Sequence, residues 1–134
     1  MLRLTLAALM LAAPAAADEV WSSEMGDIIY EFDQNNTAVF SFTNLDAYGA
    51  LLVIPGLAGN LENRGVHDAY WLGSGSGDCP AFLALPGDEQ TATTNWARAI
   101  VSFDSPAFPT SFTLQLGWCF EDPRESMRAK AVTR

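Results

Sequence analysis

The chain has 134 residues, about half of them hydrophobic, and its seven basic and sixteen acidic side chains give a net charge of −9. This length accommodates one domain with a single core. An acidic chain repels the phosphates of nucleic acids and anionic lipid headgroups, so we expect neither a nucleic acid nor an anionic membrane surface as partner.

The N-terminal segment has the three parts of a secretory signal peptide. Arg3 supplies a positive charge, an apolar stretch follows over 4–13, and three alanines ending at Ala17 offer a small-residue cleavage site. We expect cleavage near Ala17, a mature chain that begins at Asp18, and a periplasmic or secreted location. The apolar stretch is too short for an integral membrane span. The alternative is that residues 1–17 stay attached as an anchor.

The charges of the mature chain are unevenly distributed. Cleavage leaves six basic against sixteen acidic residues, a net charge of −10. Over 18–123 only Arg64 and Arg98 oppose fifteen carboxylates, whereas 124–134 carries four basic residues and Glu125. Such an acidic body attracts a basic protein or a cationic small molecule, and it also keeps an exported domain soluble.

Alternation of apolar and polar residues predicts strands along most of the chain. Over 27–33, Ile28, Tyr30 and Phe32 share one face and the odd-numbered residues lie opposite. A turn rich in asparagine leads into a second alternating run over 37–43. The two runs therefore predict a β-hairpin.

The remaining segments complete an all-β pattern. The continuously apolar run 50–54 is expected to be covered on both faces, and further strands are predicted over 66–72, 81–85, 96–103 and 111–118. Seven or eight short strands predict a β-domain over 18–120, an antiparallel meander closed as a small barrel or folded as a sandwich. Residues 121–134 have few apolar positions and are expected to form a charged C-terminal tail that is frayed or weakly helical.

The two cysteines, Cys79 and Cys119, are expected to form one disulfide, because an exported chain meets an oxidising compartment. This bridge would close a loop of 40 residues, for which chain entropy predicts about 4 kcal/mol of stabilisation. Bridged cysteines and a single histidine disfavour zinc, and the segment 33–36 lacks the glycine and distal glutamate of a calcium loop. We therefore expect no metal and no cofactor.

Scarce charges and large aromatic side chains supply the candidate binding residues, which are Arg64, His67, Trp71, Trp96 and Arg98. Alternation puts His67 and Asp68 on opposite faces of a strand, so they do not form a dyad; a structural or exposed histidine is favoured, with pH sensing as the alternative. Surface ion pairs are favoured for the arginines. If its face lined a barrel interior, Arg98 would instead bind an anionic ligand.

The tryptophans are assigned to the core by default, although one or two could line a barrel mouth, where an indole stacks on a ligand. Glu31 and Asp33 lie two residues apart on one predicted face, about 7 Å from each other, near the carboxylate separation of inverting glycosidases. Solvated carboxylates on an outer face are the favoured interpretation.

No catalytic constellation emerges from these residues. We therefore expect a monomeric, non-enzymatic exported domain that binds a small ligand in a barrel mouth or a basic protein on its acidic surface, such as an envelope accessory or inhibitor protein. The alternatives are a small cell-wall or polymer hydrolase that uses His67 or a carboxylate such as Asp68, and a structural envelope protein. In general profile, but without a shared motif, the chain is similar to periplasmic lysozyme inhibitors and to lipocalin-like or avidin-like barrels.

Overall fold

The structure is a computed structural model that describes residues 19–44 and 49–133. Within those ranges it contains one short 3-10 helix, Ala58–Asn60, and ten strands: β1 Val20–Ser23, β2 Gly26–Gln34, β3 Thr37–Phe42, β4 Leu51–Pro55, β5 Val66–Leu72, β6 Leu83–Leu85, β7 Asp88–Thr93, β8 Trp96–Phe103, β9 Phe112–Trp118 and β10 Glu125–Ala131. The predicted signal peptide lies outside the described residues. Across the described ranges, no helix reaches the length and apolar content that crossing a membrane requires.

Eight strands form a closed antiparallel barrel in the order β1-β10-β9-β8-β5-β4-β3-β2. Strand β1 closes the barrel because it pairs with β2 on one side and with β10 on the other, where Trp21 lies opposite Ala131. Strands β6 and β7 form a separate hairpin between β5 and β8 in the chain. The predicted small antiparallel all-β fold is confirmed, and the barrel is the architecture observed.

The predicted frayed or helical tail is wrong over Glu125–Ala131, which forms β10. Met127 and Ala129 point inward and are buried, and Ala129 lies opposite Phe112 of β9. Ser126, Arg128 and Lys130 occupy the outward positions. The segment therefore has few apolar residues, although a strand needs them on one face only. Strands β1 and β7 are also absent from the predicted set.

Inward-facing side chains fill the barrel. Trp21 is fully buried, and its ring centroid lies 5.4 Å from that of Phe40, 5.5 Å from Phe108 and 5.3 Å from Phe112, all edge-on. Its indole N–H donates to the carbonyl oxygen of Thr110 at 2.7 Å. Edge-on aromatic pairs of this kind add about 0.5–1.5 kcal/mol each beyond the burial of their area. The axis of the barrel is therefore a packed aromatic core.

A second apolar cluster lies on the outside of the barrel wall, beneath the β6–β7 hairpin. Leu85 of the hairpin packs there with Val39, Val53 and Trp96. Val53 faces the hairpin while its neighbours in β4 join the interior core. This arrangement confirms the prediction that residues 50–54 are covered on both faces.

A β-bulge in β2 alters the predicted faces. Tyr30 lies opposite Phe40 and Phe32 lies opposite Val39, so the register shifts at Glu31. A bulge of this kind inserts one extra residue and reverses the faces that follow it. The predicted face is correct for Tyr30, which packs against the interior core, and wrong for Phe32, which turns to the outer surface and is 44% exposed.

The predicted disulfide is confirmed. Cys79 and Cys119 are bonded, with their Cα atoms 5.3 Å apart. The amide of Cys79 donates to the carbonyl oxygen of Thr94, and that of Cys119 donates to the carbonyl oxygen of Trp96. The bridge thus ties the segment before the hairpin to the end of β9, at one end of the barrel.

Candidate functional site

The two ends of the barrel are closed by different side chains. At the Arg64 end, β2 turns into β3, and Arg64 of the loop 56–65 pairs with Glu19, which precedes β1. The amide of Arg64 donates to the carbonyl oxygen of Pro106 in the loop 104–111. At the Trp118 end, β9 turns into β10 and β5 leads into the β6–β7 hairpin. The candidate functional residues are distributed between these two ends.

A depression of about 480 Å³ opens at the Trp118 end, between the end of β9 and the start of β10. We call its lining the Trp118 rim, which consists of Leu116, Gly117, Trp118, Glu121, Asp122, Arg124 and Glu125. The Trp118 side chain is 41% exposed. Three carboxylates and one guanidinium give the rim a net negative charge.

The loop that carries the Trp118 rim is folded back onto β9. The amide of Glu121 donates to the carbonyl oxygen of Trp118 at 3.0 Å, and the amide of Arg124 donates to that of Leu116 at 3.1 Å. A Cβ atom at Gly117 would lie 2.4 Å from the carbonyl oxygen of Glu121. Backbone contacts therefore fix the loop, and they require glycine at position 117.

Trp71 supports Trp118 from inside the barrel. Their ring centroids are 5.4 Å apart and their planes are inclined by 83°. Trp71 is 7% exposed, and its indole N–H has no hydrogen-bond partner in the described part of the chain. This edge-on contact orients the Trp118 indole while leaving part of its surface open to solvent.

The carboxylates of the Trp118 rim are only weakly paired within the rim. Arg124 lies 3.9 Å from Asp122, and the two side chains are 85% and 76% exposed. A solvent-screened pair of this kind contributes at most about 1 kcal/mol. Glu121 and Glu125 are also exposed. An accessible indole beside several carboxylates attracts an ammonium or guanidinium group.

Arg64 closes the other end of the barrel from within. It is 2% exposed, and its Nη2 lies 2.5 Å from Oε1 of Glu19. Its Nε–H donates to the carbonyl oxygen of Leu61 at 3.1 Å, and its Cζ lies 5.4 Å from the ring centroid of Phe103. Arg64 forms an ion pair with a carboxylate, as predicted. The predicted surface location of this pair is wrong, because the arginine is buried.

The Arg64 end also contains buried polar atoms without partners. Within the described ranges, Nη1 of Arg64, Oε2 of Glu19 and Oη of Tyr30 make no hydrogen bond. The amide of Tyr30 donates to the carbonyl oxygen of Glu19 at 3.0 Å, which places these two residues side by side. Each such buried atom costs about 1–3 kcal/mol, so the surrounding fold must hold the pair in place.

Asp33 lies at the Arg64 end of β2, where the bulge places it on the inward face of the strand although it stays exposed. It lies opposite Ala38, which belongs to the interior core. Partial burial and the charge of nearby Glu19 raise the pKa of Asp33 above its usual value. Glu31 precedes the register shift and Asp33 follows it, so the prediction that they share one face is wrong. The geometric basis for the glycosidase alternative is lost with it.

The structure does not bring the five predicted binding residues together. Arg64 and Trp71 are buried at opposite ends of the barrel, and Trp96 is buried beneath the hairpin, outside the barrel wall. Arg98 is exposed on the outer face, where its Nη1 donates to the carbonyl oxygen of Phe120 at 3.4 Å. The alternative of an interior Arg98 is wrong, because its neighbours in β8 are the residues that point inward.

His67 lies at half-burial in β5, opposite Val101. It shares a parity with Ala69 and Trp71, which join the interior core, whereas Asp68 is exposed. The predicted separation of His67 and Asp68 onto opposite faces is therefore confirmed. This position is toward the Arg64 end of the strand and away from the Trp118 rim.

Sequence reasoning missed the Trp118 rim. Residues 121–134 are predicted to form a separate tail. That prediction does not bring Glu121, Asp122 and Glu125 next to Trp118, as the β9–β10 turn does. The signal for this turn is the alternation of Met127, Ala129 and Ala131, which predicts a short strand when the charged residues between them are assigned to the outer face.

The described residues contain no group of three or more His, Cys, Asp or Glu side chains placed to hold a metal ion. Comparison of the chain with protein-family models, with curated proteins and with solved structures gives no match. The geometry and charge of the two barrel ends are therefore the basis for a functional assignment.

Proposed function

We propose that this protein is an exported, non-enzymatic binding module that holds a basic segment of a partner protein at the Trp118 rim. The observation that carries the proposal is the depression of about 480 Å³ in which a part-exposed indole and three carboxylates line one surface. Carboxylates pair with ammonium and guanidinium groups, and an aromatic face attracts the same cations.

The charge of the whole chain supports a basic partner. A net charge of −9 produces a negative field around the protein, which speeds the approach of a cationic surface and repels acidic ones. This long-range attraction is not specific to one patch. The carboxylates of the Trp118 rim would orient the partner once it arrives.

The packed interior favours recognition at the surface over a small ligand held inside the barrel. Trp21 and its aromatic neighbours occupy the axis, and Arg64 closes one end. The depression at the Trp118 end lies outside this core, and a protruding side chain of a partner can enter it.

The disulfide supports export. Cys79 and Cys119 are bonded, and bridges of this kind persist in oxidising compartments such as the periplasm or the extracellular space. The proposed partner would accordingly be a basic protein of the same compartment.

Binding of a fluorescent oligoarginine peptide to the purified protein tests this proposal. We expect binding that weakens as salt rises, because the contacts are exposed and ionic. The rim variant Glu121→Gln/Asp122→Asn/Glu125→Gln should lose about tenfold in affinity, since three exposed ion pairs together contribute roughly 1–3 kcal/mol.

The matched control removes three exposed carboxylates that do not line the depression. Asp27→Asn/Asp68→Asn/Glu89→Gln changes the net charge by the same amount, and all three side chains are exposed. The control should lose less than threefold in affinity. Equal losses in the two triple variants, or no binding of oligoarginine at low salt, would overturn the proposal.

A further inference from the structure

The Arg64 end contains a resident arginine bound by the same types of group that line the Trp118 rim. The guanidinium of Arg64 lies 5.4 Å from the ring centroid of Phe103 and 2.5 Å from a carboxylate oxygen of Glu19. An aromatic ring and a carboxylate thus hold one guanidinium inside this protein. The arrangement combines a cation–π contact with a charge-assisted hydrogen bond.

The Trp118 rim offers those two types of group to the outside. Trp118 supplies a part-exposed indole, and Glu121, Asp122 and Glu125 supply carboxylates. The arginine of the rim, Arg124, does not fill the depression, because its side chain is 85% exposed and lies 3.9 Å from the nearest carboxylate oxygen of its ion pair. The depression is therefore accessible to a guanidinium from another molecule.

We infer that the Trp118 rim is a binding site for a single arginine side chain of the partner protein, an inference that rests on the proposed function and specifies its ligand. The guanidinium stacks on the Trp118 indole and pairs with the rim carboxylates. Arginine suits these partners better than lysine because its planar fork matches a carboxylate with two hydrogen bonds and its flat, weakly hydrated face stacks on aromatic rings.

Two features of the fold preorganise the Trp118 rim for a guanidinium group. Trp71 packs edge-on against Trp118 and orients its ring, and the close approach of the loop to Gly117 fixes the backbone that carries the carboxylates. The site needs little ordering on binding, which reduces the cost of capturing a flexible side chain.

Three capped tripeptides, Gly-Arg-Gly, Gly-Lys-Gly and Gly-citrulline-Gly, test the inference in NMR titrations of the protein. Citrulline has nearly the shape of arginine without its charge. The chain contains four tryptophans, so four indole N–H signals can be followed. We expect the arginine peptide to move the Trp118 signal, the lysine peptide to bind several-fold more weakly, and the citrulline peptide to leave the signal in place.

Two variants test whether binding requires the Trp118 indole itself or only a nearby exposed aromatic ring. Trp118→Leu keeps an apolar contact with Trp71 but removes the aromatic face, and it should weaken oligoarginine binding by about twofold to thirtyfold. Phe120→Ala removes a neighbouring exposed ring that packs on Trp96 outside the rim, and it should leave binding unchanged. An unaltered indole signal of Trp21, which packs in the interior core, shows that each variant retains its fold.

The outcomes distinguish this inference from the proposed function. If oligoarginine binding depends on the rim carboxylates but is unaffected by Trp118→Leu, or if the lysine or citrulline peptide matches the arginine peptide, the arginine site is overturned and the basic-partner proposal stands. If oligoarginine binds equally well to the wild type and to the rim triple variant, both are overturned.

Discussion

The two ends of this barrel both combine an aromatic ring with carboxylates, which are paired with a buried arginine at one end and exposed to solvent at the other. At the Arg64 end, the ring of Phe103 and the carboxylate of Glu19 are occupied by an arginine of the same chain that is 2% exposed. At the Trp118 end, an indole and three carboxylates line an accessible depression. The same types of group therefore close the fold where the cation is internal, and they are accessible to solvent at the end where we propose that a partner binds.

The two ends also differ in how they are stabilised. The Cys79–Cys119 disulfide cross-links the Trp118 end. The backbone of the β9–β10 loop also packs closely against Gly117 there. The Arg64 end depends on a buried ion pair that leaves polar atoms of Arg64 and Glu19 unpaired. Covalent and backbone constraints thus support the end that carries the exposed aromatic ring, and buried charges close the other.

The largest expected effect comes from removing the constraint at the Trp118 end. Cys79→Ser/Cys119→Ser should lower the free energy of unfolding by about 4 kcal/mol, because a loop of 40 residues regains its entropy in the unfolded chain. Denaturant unfolding of the wild type with and without reductant provides the parallel measurement. A loss below about 1 kcal/mol in both experiments would mean that the disulfide is not what stabilises this end.

Breaking the ion pair affects the opposite end. Arg64→Met should lower the free energy of unfolding by about 3 kcal/mol, since Glu19 is left without its cation in a largely buried site. Chemical denaturation measures the loss, and oligoarginine affinity should stay unchanged.

The double variant Arg64→Met/Glu19→Gln sharpens this test. It removes the stranded charge and should recover part of the lost stability. If the double variant is no more stable than Arg64→Met alone, the cost does not come from an unpaired Glu19, and the ion pair is not what closes the Arg64 end.

A smaller and more local effect is expected at Gly117. Gly117→Ala places a Cβ atom 2.4 Å from the carbonyl oxygen of Glu121, so the β9–β10 loop must move, at a cost of about 1–3 kcal/mol. Thermal unfolding and oligoarginine binding should both be impaired. Gly59→Ala at the Arg64 end is the control, because its Cβ atom would make an ordinary contact at 3.5 Å with Asn36. Equal effects of the two substitutions would contradict the proposed constraint.

The smallest effect concerns the carboxylate beside the buried ion pair. Folding raises the pKa of Asp33 through partial burial and the charge of Glu19. Its contribution to stability is therefore fully present below the unfolded pKa and is lost as pH rises through the folded pKa. Asp33→Asn should stabilise the protein at neutral pH by about 0.2–1 kcal/mol, the range of solvent-screened interactions.

Unfolding at several pH values checks the sign of this effect. The advantage of Asp33→Asn over the wild type should shrink as pH falls through the raised pKa of folded Asp33, and it should be absent below the usual pKa of an aspartate. Asp68→Asn removes an exposed charge elsewhere and serves as the control. A variant that is less stable than the wild type at neutral pH would show that Asp33 is favourably paired there.

Local patterns predicted much of the fold. Strands β3, β5, β8 and β9 lie within a residue of the predicted runs at every end, because each has apolar residues on alternate positions or on both faces. The disulfide followed from two cysteines in a chain with an expected signal peptide. These features depend on neighbouring residues or on composition alone.

The features that sequence reasoning missed depend on partners far away in the chain. The bulge at Glu31 reverses the faces of Phe32 and Asp33. The alternation of apolar and polar residues in the sequence continues through this position and does not reveal the bulge. Burial of Arg64 depends on Glu19, 45 residues earlier. The Trp118 rim exists only because β10 pairs back onto β9. The alternation of Met127, Ala129 and Ala131 could predict the strand, but it does not identify the strand with which β10 pairs.

A crystal structure of the protein with the capped Gly-Arg-Gly peptide is the direct test of whether the Trp118 rim binds a guanidinium group from another molecule. We expect the guanidinium within about 6 Å of the Trp118 ring centroid, with at least one hydrogen bond to a carboxylate of Glu121, Asp122 or Glu125. A peptide bound elsewhere on the acidic surface, with the Trp118 rim unaltered, would contradict it.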